Sequence, residues 1–127
     1  MKRILLIEDD PFLVDIYTTK FKESGFDIEV ATDGEQGLRE LSEKNFDLLL
    51  LDIVLPQVDG WEVLEKIKAL KVNIKHLENL KIIILSNLGQ KEEVERGIEM
   101  GAIRYFIKAH YTPSEVVAEI EQLLKRG

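Results

Sequence analysis

The chain has 127 residues, 45% of them hydrophobic, and a formal net charge of −7 from 24 acidic and 17 basic side chains. That is the size of one domain with a sizeable core, and the acidic balance argues against gripping nucleic acid by charge. The chain has no cysteine, hence no disulfide frame and no thiolate metal site; with no signal-like segment this fits a reducing cytoplasm, and no apolar run approaches the roughly 20 residues of a membrane span.

Residues 2–7 hold a short apolar run, a buried strand, that ends in Glu8-Asp9-Asp10. Pro11 suits the first turn of a helix with Asp10 as its N-cap. Phe12, Leu13, Ile16, Tyr17 and Phe21 then recur at helical spacing until Gly25 stops the helix. Residues 26–31 alternate, with Ile28 and Val30 on one face, as a less buried strand. Thr32-Asp33-Gly34 turns the chain into a helix carrying Leu38 and Leu41. Leu48 to Leu51 follow as an unbroken leucine run, which suits a central strand of a parallel sheet covered on both faces by helices. The run stops at Asp52, and Leu55-Pro56 and Asp59-Gly60 are turn signals.

A third helix carries the core stripe Trp61, Val63, Leu64, Ile67 and Leu70. Residues 72–79 form a polar connector, partly helical through Ile74 and Leu77. Residues 81–85 are a strand ending in Ser86-Asn87. A fourth helix over 90–100 turns Val94, Ile98 and Met100 inward, and Gly97 weakens it by about 1 kcal/mol relative to alanine. Gly101 ends it, residues 103–107 form the fifth strand, and Lys108 closes that strand. Thr112-Pro113-Ser114-Glu115 is a capping box for a last helix that carries Val116, Val117, Ile120, Leu123 and Leu124 and ends in Lys125-Arg126. The alternation predicts an α/β domain over residues 1–127: a doubly wound parallel sheet with right-handed crossovers and helices on both faces.

In that architecture the C-terminal ends of the strands open onto one edge. Glu8-Asp9-Asp10, Asp52, Ser86 and Lys108 stand at four of those ends. Singly each has a plainer reading: Asp10 as a helix cap, Ser86 as a turn serine, Lys108 as a surface lysine. Together they point to chemistry. Like charges at ~5 Å in an effective dielectric of ~20 cost about 3 kcal/mol per pair, so Glu8, Asp9 and Asp52 should take up protons or bind a cation. An all-oxygen cage with open water positions suits Mg2+, which usually adds a phosphate oxygen. Asp52 beside a metal, a lysine and a hydroxyl is equipped to attack a phosphoryl group and become an aspartyl phosphate. Lys108 and the metal would neutralise its oxygens, Ser86 would donate to one of them, and Glu8 and Asp9 would hold the metal.

Five pieces then carry a resemblance: Ile-Leu-Leu-Ile-Glu8-Asp9-Asp10, Leu51-Asp52-Ile-Val-Leu-Pro56-Gln-Val-Asp59-Gly60, Ile-Leu-Ser86, Gly101-Ala102 and Tyr105-Phe-Ile-Lys108. In order and at this spacing they resemble the CheY-like receiver domains of two-component response regulators over nearly the whole chain. The resemblance implies a flavodoxin-like five-stranded sheet in the order 2-1-3-4-5. It implies Asp52 as phosphoacceptor, Glu8 and Asp9 as the acidic metal pair, a Val54 backbone carbonyl on the metal, Ser86 as the switch hydroxyl and Lys108 as the site lysine. Tyr105 resembles the aromatic that turns inward on activation, a role weighed evenly against that of a half-buried strand aromatic. On this reading Ser86 moves toward the phosphoryl oxygens and vacates space that Tyr105 fills. The chain is then a phosphoacceptor that catalyses its own phosphoryl transfer and slow dephosphorylation, not an enzyme turning over a substrate. The implied donor is a histidine kinase or phosphotransfer protein. The implied outputs are a partner protein or lost output domain, and a homodimer through the fourth helix, fifth strand and fifth helix, with no direct contact to nucleic acid or membrane.

Two features depart from the family pattern. Ala109 stands where proline usually follows the lysine, which leaves the geometry of the Lys108–Ala109 peptide open, and the connector around residues 73–79 is long. His76 and His110 lie in no phosphodonor motif and read as surface histidines. Three rival readings compete. A flavin module would need a phosphate-cradling loop where Glu8-Asp9-Asp10 stands. An aspartyl-phosphate phosphatase would need a second acid where Val54 stands. A degenerate receiver would bind partners without phosphorylation.

Overall fold

Strands and helices alternate along residues 1–125, which this computed structural model describes. The order is β1 (Arg3–Ile7), α1 (Pro11–Glu23), β2 (Asp27–Ala31), α2 (Gly34–Glu43), β3 (Leu48–Leu51), α3 (Gly60–Leu70), a 3₁₀ turn (Lys75–Asn79), β4 (Lys81–Ser86), α4 (Lys91–Glu99), β5 (Arg104–Ile107), a second 3₁₀ turn (Lys108–His110) and α5 (Pro113–Lys125). Arg126 and Gly127, at the end of the expected last helix and domain, lie outside the described residues. The five strands form one parallel sheet in the order β2-β1-β3-β4-β5, a flavodoxin-like fold. Among the described residues no helix is long and apolar enough to cross a membrane.

The leucine run explains why this sheet is covered on both faces. Side chains alternate across a strand, so Leu49 and Leu51 join Leu5, Ile7, Ile82 and Ile84 under α2 and α3, with Leu41, Val63, Leu64 and Ile67. Leu48 and Leu50 join Ile4, Leu6, Ile83, Leu85 and Phe106 under α1 and α5, with Tyr17, Phe21, Val116, Ile120 and Leu124. Register then fixes the rim. Ile7 pairs with both Ala31 and Leu51, Leu51 with Ile84, and Ser86 with Ile107. Beyond the ladder the Glu8 amide donates to the Ala31 carbonyl (3.1 Å) and the Asp52 amide to the Ile7 carbonyl (3.0 Å). Residues 8 and 52 therefore leave the sheet side by side.

The caps follow the sequence signals. The Asp10 carboxylate accepts from the Phe12 amide at 2.9 Å. At α5, Glu115 accepts from the Thr112 amide (2.8 Å) while its own amide donates to the Thr112 hydroxyl (3.2 Å). Other expectations need correction. Phe12 is 72% exposed, because the buried arc of α1 runs through Tyr17 and Phe21 and the first turn overshoots the core. Ile98 is exposed, because α4 turns Gly97 inward and a residue one step on points about 100° away. Ile103 is exposed and precedes the strand, although its amide still donates to the Ile82 carbonyl at 2.8 Å. His76 is no free surface histidine: it is half-buried, with Nε2 2.8 Å from the Leu41 carbonyl near the end of α2. The long connector thus docks through His76 and the buried Leu77. The Lys108–Ala109 peptide is trans and starts the second 3₁₀ turn.

After β3 the chain must turn sharply back into α3. Gln57 sits at φ 63° directly after Pro56, as in a turn with proline at its second position and a left-handed third residue. Gly60 lies so close to the strand end that a Cβ there would stand 2.5 Å from Ile53 Cα and 2.6 Å from the Asp52 carbonyl oxygen. Both are backbone atoms, so nothing yields. Gly60→Ala should therefore cost about 2 kcal/mol as an overpacked substitution, read as a lower urea midpoint at unchanged slope.

Candidate functional site

Every group gathered at the rim comes from a strand end, and the sheet does the gathering. Glu8 follows β1 and is only 1% exposed; Asp52 follows β3 and is 6% exposed. Lys108 follows β5 and reaches back across the rim. Its Nζ donates to Glu8 Oε1 at 2.8 Å and to Asp52 Oδ2 at 3.2 Å. The remaining carboxylate oxygens are held by backbone: Glu8 Oε2 accepts from the Asp10 amide (3.2 Å) and Asp52 Oδ1 from the Val54 amide (3.3 Å). Asp9, exposed beside them, completes a set of carboxylate oxygens, one each from Glu8, Asp9 and Asp52, that lie within 4.8 Å of one another. Ser86 ends β4, fully buried, and its Oγ accepts from the Leu88 amide at 3.2 Å. Tyr105, half-buried on β5, donates its hydroxyl to the Leu88 carbonyl at 2.6 Å.

The electrostatics follow from burial. Glu8 is pushed above the ordinary carboxylate range chiefly by desolvation; the Lys108 hydrogen bond opposes this and the charge of Asp52 adds to it. For Lys108, burial alone would lower the pKa, but the hydrogen bond to Glu8 and the charges of Asp52 and Glu8 outweigh it, so the ammonium is held above its ordinary range. Burial, with the charge of Glu8, pushes the Tyr17 phenol up to about 12. Burial also raises the Tyr105 phenol, with Ser86 acting the other way.

The donor set suits a hard divalent cation. Its converging atoms are all oxygens, one each from three carboxylates, and the single ammonium of Lys108 reaches two of those acids. Glu8, Asp9 and Asp52 can hold such an ion.

A family model for the response regulator receiver domain matches residues 4–121. The chain belongs to the response regulator receiver domain family. Its relatives include the DNA-binding dual master transcriptional regulator RpaA of Synechocystis sp., 31% identical over 99% of this chain and 50% of that protein. Similar solved structures include the Francisella response regulator 1452 receiver domain, with a TM-score of 0.86 and 28% identity over 99% of this chain and 98% of that one. They also include the response regulator TrrA of Thermotoga maritima in complex with Mg2+ and beryllium fluoride, with a TM-score of 0.79 and 28% identity over 97% of this chain and 99% of that one. The chain spans about half the length of the curated relatives it matches.

Sequence reasoning missed three residues that bear on this receiver site. Leu88 offers both its backbone groups to Ser86 and Tyr105, and nothing in a leucine's side chain announces that. The stripe placed Tyr17 in the core, yet it also senses Glu8. Gly97 read as a flaw in its helix, and it is buried against Ile84 and Tyr105.

The raised Glu8 sets a direction for stability. Its folded-state pKa lies above the unfolded one, so its contribution to stability is full below the ordinary carboxylate range and is lost as pH rises through the raised value. Above that raised value the charged Glu8 therefore opposes folding. Glu8→Gln removes one like charge and keeps an oxygen for Lys108. In chelator it should gain about 1 kcal/mol, which for a chain of this size is a melting temperature about 4 °C higher. Mg2+ should raise the melting temperature of the wild type by ligand linkage and that of the variant far less.

Proposed function

We propose that this receiver domain, read as residues 1–127, takes a phosphoryl group onto Asp52 in a Mg2+-dependent reaction. The observation that carries the reading is the single ammonium of Lys108 bridging two buried carboxylates of a three-carboxylate cluster. It leaves one acid, Asp52, both oriented and incompletely neutralised.

A carboxylate oxygen of Asp52 attacks phosphorus as the bond from phosphorus to the donor's leaving group breaks. The donor is a phosphohistidine of a histidine kinase or phosphotransfer protein, and its imidazole nitrogen departs with the bonding pair. Glu8, Asp9, Asp52 and the Val54 backbone carbonyl would hold a magnesium ion, which would supply charge neutralisation for the phosphoryl oxygens. Lys108 sits on the carboxylate that becomes the acyl phosphate and supplies a second positive charge. Ser86 accepts from the Leu88 amide, so its hydroxyl proton can turn to a phosphoryl oxygen. Water attack on the acyl phosphate returns Asp52, a slow self-limiting reset with no substrate turned over.

The switch runs through Ser86 and Tyr105. A phosphoryl group brings roughly −1.5 to −2 of charge and strong acceptor oxygens, and pulling Ser86 toward them biases the face formed by α4, β5 and α5. Ile98 on α4 and Ile103 just before β5 are exposed, apolar surface suited to an output partner or a second copy of the chain. Relatives about twice this length support an output segment as the receiver's partner, and the acidic, cysteine-free chain suits cytoplasmic signalling without direct contact to nucleic acid or membrane.

Incubation with acetyl phosphate and Mg2+ should add one phosphoryl group by intact mass. Asp52→Asn should add none, chelator should abolish the addition, and Glu8→Gln should slow it by at least tenfold, about 1.4 kcal/mol of transition-state stabilisation. An unmodified wild-type mass under these conditions defeats the reading.

A further inference from the structure

We propose that Gly97 is the seat of the Tyr105 ring, and that through Leu88 the size of residue 97 sets how tightly the site holds a phosphoryl group. The inference rests on the phosphoacceptor reading above and adds to it a positioning residue on α4 that touches neither metal nor phosphate.

Gly97 lies within α4 on the helix's buried face. Glycine is a poorer helix former than alanine, so the position needs a reason. Backbone conformation does not supply it, since the glycines at positive φ are Gly25 and Gly101. Space does. A Cβ at residue 97 would stand 2.8 Å from Tyr105 Cδ2, 3.1 Å from Cε2 and 2.7 Å from Ile84 Cδ1. The ring lies where a side chain would be.

The helix is not free to retreat from such a clash. The guanidinium of Arg96, the preceding residue, stacks 4.2 Å from the Trp61 ring on α3. With α4 held on that side, the group that yields is Tyr105, whose ring swings out about a single bond.

What the ring leaves behind connects it to the site. Its hydroxyl holds the Leu88 carbonyl, and the amide of the same residue holds Ser86 Oγ. One residue thus ties the donor that would meet phosphate to the ring that Gly97 admits. In this structure the ring is seated, the arrangement that on the reading above accompanies phosphorylation. Shrinking the population of that arrangement weakens phosphoryl binding by the same factor.

The test is Gly97→Ala in wild-type and Tyr105→Ala backgrounds, read in two ways. The first is the nuclear Overhauser contact between the Tyr105 ring and the Ile84 δ1 methyl. The second is the affinity for beryllofluoride with Mg2+. Gly97→Ala should lose the ring contact and bind beryllofluoride about tenfold more weakly, the result of cutting the seated fraction to about a tenth. In the Tyr105→Ala background the same substitution should leave affinity unchanged and raise the urea midpoint, since only the Ile84 δ1 methyl, the end of a flexible side chain, then has to give way and alanine is the better helix former. That reversal also decides the matter if Gly97→Ala alone fails to fold. A ring still packed on Ile84 in Gly97→Ala overturns the seat. A displaced ring with unchanged affinity overturns the coupling. A further affinity loss in the Tyr105→Ala background, or a lower midpoint there, shows that residue 97 acts by another route and overturns both. A wild type that binds no beryllofluoride defeats the phosphoacceptor reading and the coupling with it, while the ring contact still decides the seat.

Discussion

The constraint on which the rest depends is a charge imbalance that the sheet enforces. Parallel pairing brings the ends of β1 and β3 level, so Glu8 and Asp52 leave the sheet side by side and nearly buried. No side-chain rotation separates them far, because each also accepts a backbone amide. One ammonium, Lys108, reaches both. A folded chain that ended there would be better served by a neutral residue at position 8, since buried like charges are destabilising unless fully compensated. The deficit of positive charge is one that a hard divalent cation would offset. Stability and function pull apart at Glu8, and burial of that side chain is what sharpens the conflict.

Much of this was legible in the sequence. The leucine run suits a strand buried on both faces, and the ends of parallel strands fall on one rim, so Asp52, Glu8 and Lys108 could be brought together from the sequence. The caps at Asp10 and Thr112 were equally legible, because capping depends on residues a few positions apart. What could not be read is what depends on the angular setting of one element against another. Phe12 and Ile98 fit an apolar helical period and still face solvent, because periodicity gives the spacing of a stripe and not where the core ends. His76 looked like surface because its partner, the Leu41 carbonyl, is 35 residues away and is a backbone atom. The sheet order came from the family likeness; strand periodicity alone left it open.

The Ala109 departure illustrates the same limit from the other side. A proline after the site lysine would remove one amide and fix the backbone. With alanine there, the chain winds Lys108 to His110 into a 3₁₀ turn with an ordinary trans peptide, and Lys108 still reaches both carboxylates. The lysine's placement is therefore set by β5 pairing with β4 and by the two acids that attract its ammonium, not by the residue that follows it.

Glycine 97 draws these threads together. From sequence it counts as a cost to α4, judged against an isolated helix. In the fold the comparison changes, because the space of the missing Cβ is filled by an aromatic ring from β5, and the ring's hydroxyl holds the loop that follows the buried serine. A helix weakened at this point, clamped on one side by Arg96 on Trp61 and open on the other to Tyr105, is suited to two positions of a ring rather than one rigid packing. Helix propensity, close packing and the hydrogen-bonded loop then act as one constraint. The residue that looks least consequential by its own chemistry has its effect by leaving room for another.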